Sequence, residues 1–417
     1  MFIDKLKQKY TFVANTGYLY ILQASKYLFP ILTYPYLTRV LEPHNYGLMT
    51  YSNAFMLYFS LLVDYGFLQS ATRDVSLNRD DADKVSEIFG SVMASKFILW
   101  CAGLIILIPL IVFVPQLSEC AVYILLSYTF PLANILLPDF LFRGIEKMGI
   151  ITTRTVVSRA ISTALTFIVI HKPDDYIFIP LLNLGGTIFA IILTWRHLKH
   201  KIKIAPHFKG FPYYLDAIKK STLFFTSSFA STVYGASNAF ILRFTTESAN
   251  LAMFTSSSNL INTARNVYSP MADSVYPYMV AKKNFKVIKL LFFIVMPATA
   301  LVCILLFIYA KPFILIASGP DYLDSIPLFR AQLPILFVSF PVFMLGFPTM
   351  GAMDLMKQCN LSTVYAAAFH FLGFILLFLT NQFTMINVCY LTCLSQTMIL
   401  LLRIFWIFKK KYEEKMK

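Results

Sequence analysis

Apolar positions along this chain come in long runs and not in strict alternation. Runs of roughly 20 predominantly apolar residues, long enough to span the hydrocarbon core of a bilayer, recur between short polar stretches. They predict about twelve helices, near residues 12–38, 48–71, 86–114, 120–142, 152–170, 175–196, 220–243, 249–280, 286–310, 327–350, 360–380 and 384–407. An outer-membrane barrel would show short strands of alternating polarity, which this pattern excludes. The longest connector, KHKIKIAPHFKGFPYYLDAIKK, falls mid-chain between the sixth and seventh spans. The stretch after MFIDKLKQKY carries Lys26, Pro30 and Pro35 and no small-residue cleavage site, so it reads as a first helix and not a signal peptide. The fold class is an all-α membrane protein.

Two segments stand out against the apolar runs. YTFPLANILLP (128–138) and VSFPVFMLGFP (338–348) hold proline pairs at the same spacing, Pro131 with Pro138 and Pro341 with Pro348, half a chain apart. A proline removes a donor and crowds the preceding turn, at about 3 kcal/mol in a helix interior. The longer segments TFPLANILLPDFLFRGIEK and SFPVFMLGFPTMGAMDLMK align without a gap. YLTRVLEPHNYGLMTYSNAFML and FILRFTTESANLAMFTSSSNLI align at a similar offset. A duplicated six-helix unit follows, with halves at 1–198 and 220–417 and a connector at 199–219. An even number of spans gives both halves the same orientation, an architecture of transporters whose halves rock about a path between them. The four prolines are then candidate hinges, or fixed kinks that shape the bundle.

Composition agrees with the pattern: 58% of the 417 residues are apolar, 14% are charged, and mean hydropathy is +0.65. The net charge of +15 raises nucleic acid as a partner, but its placement argues against that. Most Lys and Arg residues lie in the termini and in the connectors of one side, whereas the other side holds only Arg39, Lys172, Arg243 and Lys311. By the positive-inside rule both termini and the central connector are cytoplasmic. The six cysteines form no metal-type pair, and Cys389 and Cys393 read as small packing residues. No metal or cofactor is expected.

Four stretches carry a resemblance: LFPILTYPYLTRVLEPHNYG, LLVDYGFLQSATRDVSLNRDD, PDFLFRGIEKMGIITTR and SGPDYLDSIPLFR. With twelve spans and duplicated halves, the chain resembles the O-antigen flippases of the polysaccharide transporter family. That family belongs to a superfamily shared with multidrug and toxin extruders and the lipid II flippase. The resemblance implies a V-shaped, alternating-access transporter in the bacterial inner membrane. Its cargo would be an undecaprenyl-pyrophosphate-linked oligosaccharide, moved from the cytoplasmic to the periplasmic leaflet. An O-antigen polymerase and a chain-length regulator are implied as partners. Lys26 is a departure, since relatives often carry a neutral polar residue there.

Charges inside spans are costly, at least about 2.5–3.5 kcal/mol at the centre, so they face a cavity or a partner. Four spans carry polar stripes at helical spacing: Asn15, Tyr18 and Lys26 on the first; Thr155, Arg159, Ser162 and Thr166 on the fifth; Ser227, Ser231, Tyr234 and Asn238 on the seventh; Ser258, Asn262, Arg265, Ser269 and Asp273 on the eighth. These faces suit a water-filled, basic cavity in which Lys26, Arg159, Arg265 and Arg330 hold a pyrophosphate. Tyr234, Asn238 and Asn262 would contact the cargo. Lys26 and Arg265, deepest in their spans, are the favoured pair, whereas Arg159 and Arg330 also suit snorkelling to an interface. Lys96 and Arg403 are expected to snorkel. Asp64, Asp139 and Asp273 serve ion coupling or structural pairing, with pairing favoured for Asp64, and His370 is expected to be packed and hydrogen-bonded. Whether protons or sodium are coupled stays open.

A multidrug extruder for small cations would want embedded acids to dominate, and here the cations do. A glycosyltransferase or polymerase needs an extramembrane site with catalytic acids or histidines, which this chain lacks. A structural channel leaves the embedded charges and the repeat unexplained.

Overall fold

The structure, a computed structural model, describes the backbone of residues 2–416; the side chains of 1–16, 19, 223, 227, 228, 230–236, 277, 280–282 and 414–417 lie outside the described residues. Every regular element among the described residues is helical. The chain divides into two compact units, Met1–Leu41 with Leu48–Ala236, and Glu42–Gly47 with Ser237–Lys417.

The first unit is built from α1 (Phe2–Val40), α2 (Glu42–Asp64), α3 (Phe67–Leu77), α4 (Ala82–Phe113), α5 (Pro115–Ser118), α6 (Ala121–Ile135), α7 (Asp139–Gly144), α8 (Met148–Val169), α9 (Ile179–His197) and most of α10 (Phe211–Leu242). Local chemistry sets the boundaries. Tyr65 and Gly66 both take positive φ, at 44° and 74°, and part α3 from α2. A Cβ on Gly66 would stand 2.7 Å from Phe224 Cβ and 2.8 Å from Phe225 N, so conformation and space both require glycine. Asp81 caps α4 by accepting the Lys84 N–H at 3.0 Å. The connector after α9 is strapped to α4. The His207 N–H donates to the Ser86 carbonyl at 2.9 Å, and Lys209 pairs with Glu87 at 2.5 Å. The bond from Glu87 holds the Lys209 ammonium above the usual lysine range. Phe67, Val75, Val85, Phe89, Phe140 and Phe142 pack as a buried cluster at this end of the unit.

The second unit contains the end of α10, then α11 (Ser248–Arg265), α12 (Tyr268–Lys282), α13 (Phe285–Ile308), α14 (Ala310–Ala317), α15 (Ile326–Met344), α16 (Met356–Leu379) and α17 (Met385–Met416). α15 is its central helix and packs on α11, α13 and α17. α13 turns large side chains outward, with Phe293 80% exposed, as do Leu372 and Phe378 on α16. Lipid, not water, suits such a surface.

The two units break their helices at corresponding places. The second span is split into α2 and α3, and the eighth into α11 and α12. The fourth is split at Pro138 into α6 and α7, and the tenth passes from α15 into a π-helical segment, Leu345–Met350. Pro131 and Pro341 are accommodated inside α6 and α15, so each pair has one tolerated and one disruptive proline. At the breaks in the fourth and tenth spans another helix supplies a donor. Trp195 Nε1 of α9 donates to the Leu136 carbonyl at 3.0 Å, and Arg403 of α17 donates to the Val342 carbonyl. Pro348 also leaves the Met344 carbonyl without its usual N–H, and the Thr349 hydroxyl takes it at 2.7 Å. Arg403 is 7% exposed and bonds Ser362 Oγ at 3.2 Å. The snorkelling expected of it is therefore corrected: the Val342 carbonyl and the Ser362 hydroxyl hold its guanidinium inside the bundle.

By length and composition, eight segments among the described residues can cross a membrane: 42–77, 82–113, 121–144, 173–202, 285–308, 320–350, 356–379 and 385–413. The other expected spans, the first, fifth, seventh and eighth, are helical as α1, α8, α10 and α11–α12. These four carry the polar stripes, and the stripes lower their mean hydropathy.

Candidate substrate cavity

The first unit holds an open cavity of about 740 Å³ between α1, α2, α4, α6, α8 and α9. Every residue lining it belongs to that unit. α8 gives it the fullest polar face: Arg154, Ser158, Arg159, Ser162 and Thr166 all line it. Their spacings of four, one, three and four residues keep them within one broad helical face.

The register of α1 against α8 is fixed at both ends. The Thr152 hydroxyl donates to the Tyr18 carbonyl at 2.8 Å, and the Tyr36 hydroxyl donates to the Ile170 carbonyl; both pairs are 134 residues apart. The same offset sets Lys26 level with residue 160, beside Arg159. Lys26 and Arg159 are electrostatic neighbours, and Arg143 joins them from the C-terminal end of α7. Lys26 stands beside the cavity lining, whereas Arg159 is part of it.

Two ion pairs close the charged end. Lys96 Nζ meets Asp64 Oδ1 at 2.6 Å, and Arg154 pairs with Asp139. Arg154 is 2% exposed, bonds Thr194 Oγ1 at 2.9 Å and lies over the Phe142 ring at 5.4 Å. The sequence pattern set Arg154 among connector cations. Its position one turn before Ser158 on the same stripe was the signal that it belongs inside. Lys96 likewise lines the cavity instead of snorkelling, because Asp64 offers it a partner. Lys26, Lys96, Arg143, Arg154 and Arg159 thus gather around Asp64 and Asp139, leaving this end net positive.

The second unit uses its polar residues differently. Asn238 donates to Thr392 Oγ1 at 3.0 Å and bonds His370 Nε2 at 2.8 Å, while His370 Nδ1 meets Ser395 Oγ at 2.9 Å. His370 is fully buried, as expected of a packed histidine. Gln332 accepts from the Ser258 hydroxyl at 3.0 Å and donates to Cys389 Sγ at 3.2 Å. Arg265 lies 3.5 Å from Asn262 Oδ1, and the Gln396 amide oxygen, oriented toward it, accepts at 3.2 and 3.3 Å. Arg330 donates to the Phe307 carbonyl at 3.0 Å and covers the Phe307 ring at 4.9 Å, as a side chain anchored at an interface would. Asp273 is exposed on α12. The side chain of Tyr234 lies outside the described residues. The structure thus joins Lys26, Arg159, Asp64 and Asp139 in the first unit, whereas Arg265, Arg330, Asn238, Asn262 and Asp273 belong to the second.

Comparison with known proteins adds to this geometry. The model of a family described as polysaccharide biosynthesis protein matches residues 12–283. Two proteins named "Putative O-antigen transporter" are similar in sequence. That of Escherichia coli (strain K12) is 28% identical over 330 residues, 78% of this chain and 80% of its own. That of Shigella dysenteriae is 26% identical over 264 residues, 63% of this chain and 66% of its own. In fold the chain resembles the lipid II flippase MurJ in an inward closed conformation, with a TM-score of 0.69 and 15% identity over 95% of this chain and 87% of that one. It is equally similar to an inward-facing multidrug resistance MATE family transporter, with a TM-score of 0.69 and 13% identity over 92% of this chain and 98% of that one.

Proposed function

Because the chain belongs to the polysaccharide biosynthesis protein family, we infer that it is a non-enzymatic membrane transporter that flips a lipid-linked polysaccharide unit between leaflets. The cargo is an oligosaccharide on undecaprenyl pyrophosphate, as suits a protein similar to O-antigen transporters. It moves outward across a bacterial inner membrane through about twelve spans, with both termini cytoplasmic. The two halves, 1–198 and 220–417, alternate access by rocking, with Pro131, Pro138, Pro341 and Pro348 as candidate hinges.

One observation carries the choice of cargo: the net positive end of the cavity, where Arg159 lines the wall and Lys26 and Arg143 stand close. Charge-assisted hydrogen bonds from guanidinium groups to phosphate oxygens are strong and directional, and a planar Arg fork serves two oxygens at once. The multidrug-extruder reading needs embedded acids to attract a cation, and here Asp64 and Asp139 are already paired with Lys96 and Arg154. Moving negative charge out of a negative cytoplasm gains about 2.3 kcal/mol per charge per 100 mV, if the carrier moves no opposing charge. An ion antiport is then unnecessary.

Reconstitution tests the reading. In vesicles with a clamped potential, the full-length protein is expected to bring an undecaprenyl-pyrophosphate disaccharide to the outer leaflet. The rate should rise when the lumen-to-bath sign favours outward movement of an anion. Arg159→Gln, inserted in normal amount, should slow it by tenfold or more, since a hydrogen bond to a charged group contributes about 1.5–3 kcal/mol. Normal flipping by that variant would leave Arg159 structural. A rate indifferent to the sign of the potential would remove the electrical part separately.

A further inference from the structure

The cavity is charged at one end only, and helix geometry sets the length of the rest. On α2, Asn53 precedes Asp64 by 11 residues, about 16 Å at 1.5 Å per residue. On α8, Thr166 follows Arg154 by 12 residues, about 18 Å. On α9, Asn183 precedes Thr194, the partner of Arg154, by 11 residues, again about 16 Å. Three helices therefore agree that the cavity extends about 16–18 Å away from the ion pairs, and on α8 the neutral part past Arg159 spans seven residues, from Arg159 to Thr166, or about 10 Å. A neutral chamber of that length takes one or two sugar rings.

Its wall carries groups that read hydroxyls and acetamides. Asn53 Oδ1 accepts the Tyr123 hydroxyl at 3.0 Å, which fixes the amide and leaves its –NH₂ for the cavity. The Asn183 side chain, exposed in the cavity wall, makes no hydrogen bond among the described residues. Phe130 also lines the space and is 40% exposed, an open aromatic face of the kind on which a sugar ring packs. None of these residues is charged.

We propose that this neutral chamber of the first unit is a sugar subsite, in which Asn53, Asn183 and Phe130 bind the first saccharides of the cargo and select neutral over acidic sugars. The proposal rests on the flippase reading of the same cavity. An ester-linked sugar lies directly next to the pyrophosphate, so with the phosphates at Arg159 the first rings fall beside these amides. A hexuronate there would bring a carboxylate to a wall without a cation, and would lose its hydration unpaired. Selection of a neutral ring then follows from what the wall lacks as much as from what it offers.

The test uses full-length protein in vesicles and three probes: undecaprenyl pyrophosphate without sugar, with a neutral N-acetylhexosamine disaccharide, and with a disaccharide containing a hexuronic acid. The readout is the ratio of flipping rates between probes. Wild-type protein is expected to prefer the neutral disaccharide to the acidic one. Asn183→Leu should lower the ratio of neutral disaccharide to bare lipid by about tenfold, the worth of one or two lost hydrogen bonds. Arg159→Gln should slow both and leave the ratio unchanged. An unchanged ratio in Asn183→Leu, in protein that still flips the bare lipid, overturns the subsite and leaves the flippase reading intact. Wild-type protein that flips none of the probes overturns both. A second measurement does not depend on transport. In a variant with native cysteines replaced, the disaccharide lipid should slow alkylation of Asn183→Cys and the bare lipid should not; equal rates overturn the proposal.

Discussion

Arg154 and Arg159 lie five residues apart on one helix and do different work. Arg154 is enclosed by Asp139, Thr194 and the Phe142 ring, whereas Arg159 looks into open space. Arg154→Met should therefore lower stability. The loss is expected toward the lower end of about 3–5 kcal/mol, because Asp139 is partly exposed and regains water. Thermal unfolding in detergent measures it, and Arg159→Gln should melt within a few degrees of wild type. A melting point for Arg154→Met equal to that of Arg159→Gln would refute the division of labour. Sequence reading found Arg159 by its stripe and treated Arg154 as a connector cation, because a positive charge near a span end looks alike whether it snorkels or pairs. The shared stripe with Ser158 hints at the difference, and Asp139, on another helix, decides it.

At the scale of helices, the proline pairs were legible and their separate effects were not. Pro131 and Pro341 remain inside helices, while Pro138 and Pro348 stand at breaks. The difference lies with neighbours that a linear pattern does not reveal. Gly346 at ψ −122° opens the backbone, and the Arg403 guanidinium lies close against it. If the breaks flex during transport, Pro138→Ala and Pro348→Ala should slow flipping more than they reduce inserted protein. Pro131→Ala, within a continuous helix, should slow it less. Unchanged flipping in the Pro138→Ala, Pro348→Ala double variant would make the breaks static. Arg403→Met should destabilise the fold by about 1–3 kcal/mol, since it removes the charge-assisted bond to the Val342 carbonyl, which keeps only the Leu345 N–H, and the bond to Ser362. The melting temperature reports this directly.

For the whole molecule, the long apolar runs and the internal repeat were legible because they need no long-range partner. The four polar-striped helices show where that legibility ends. Their faces mark a cavity, but which residues share one cavity depends on packing between distant segments. Asp64 with Lys96 and Asn53 with Tyr123 are such pairs. The charge asymmetry between connectors makes a further prediction. A cysteine at His200, in a variant lacking the native cysteines, should resist a membrane-impermeant thiol reagent outside intact cells and react in inverted vesicles. Ready labelling from outside would reverse the expected topology.

The donors at the two broken helices also impose an order on biosynthesis. The Leu136 carbonyl receives its bond from a side chain 59 residues later, and the Val342 carbonyl from one 61 residues later. At about 5–20 residues per second, a ribosome needs roughly 3–12 s to make that stretch. During this interval the Leu136 carbonyl lacks that donor and the Val342 carbonyl has only the local Leu345 N–H, so the nascent helix waits near water or in the company of the insertion machinery. Neither half is finished until its last span arrives.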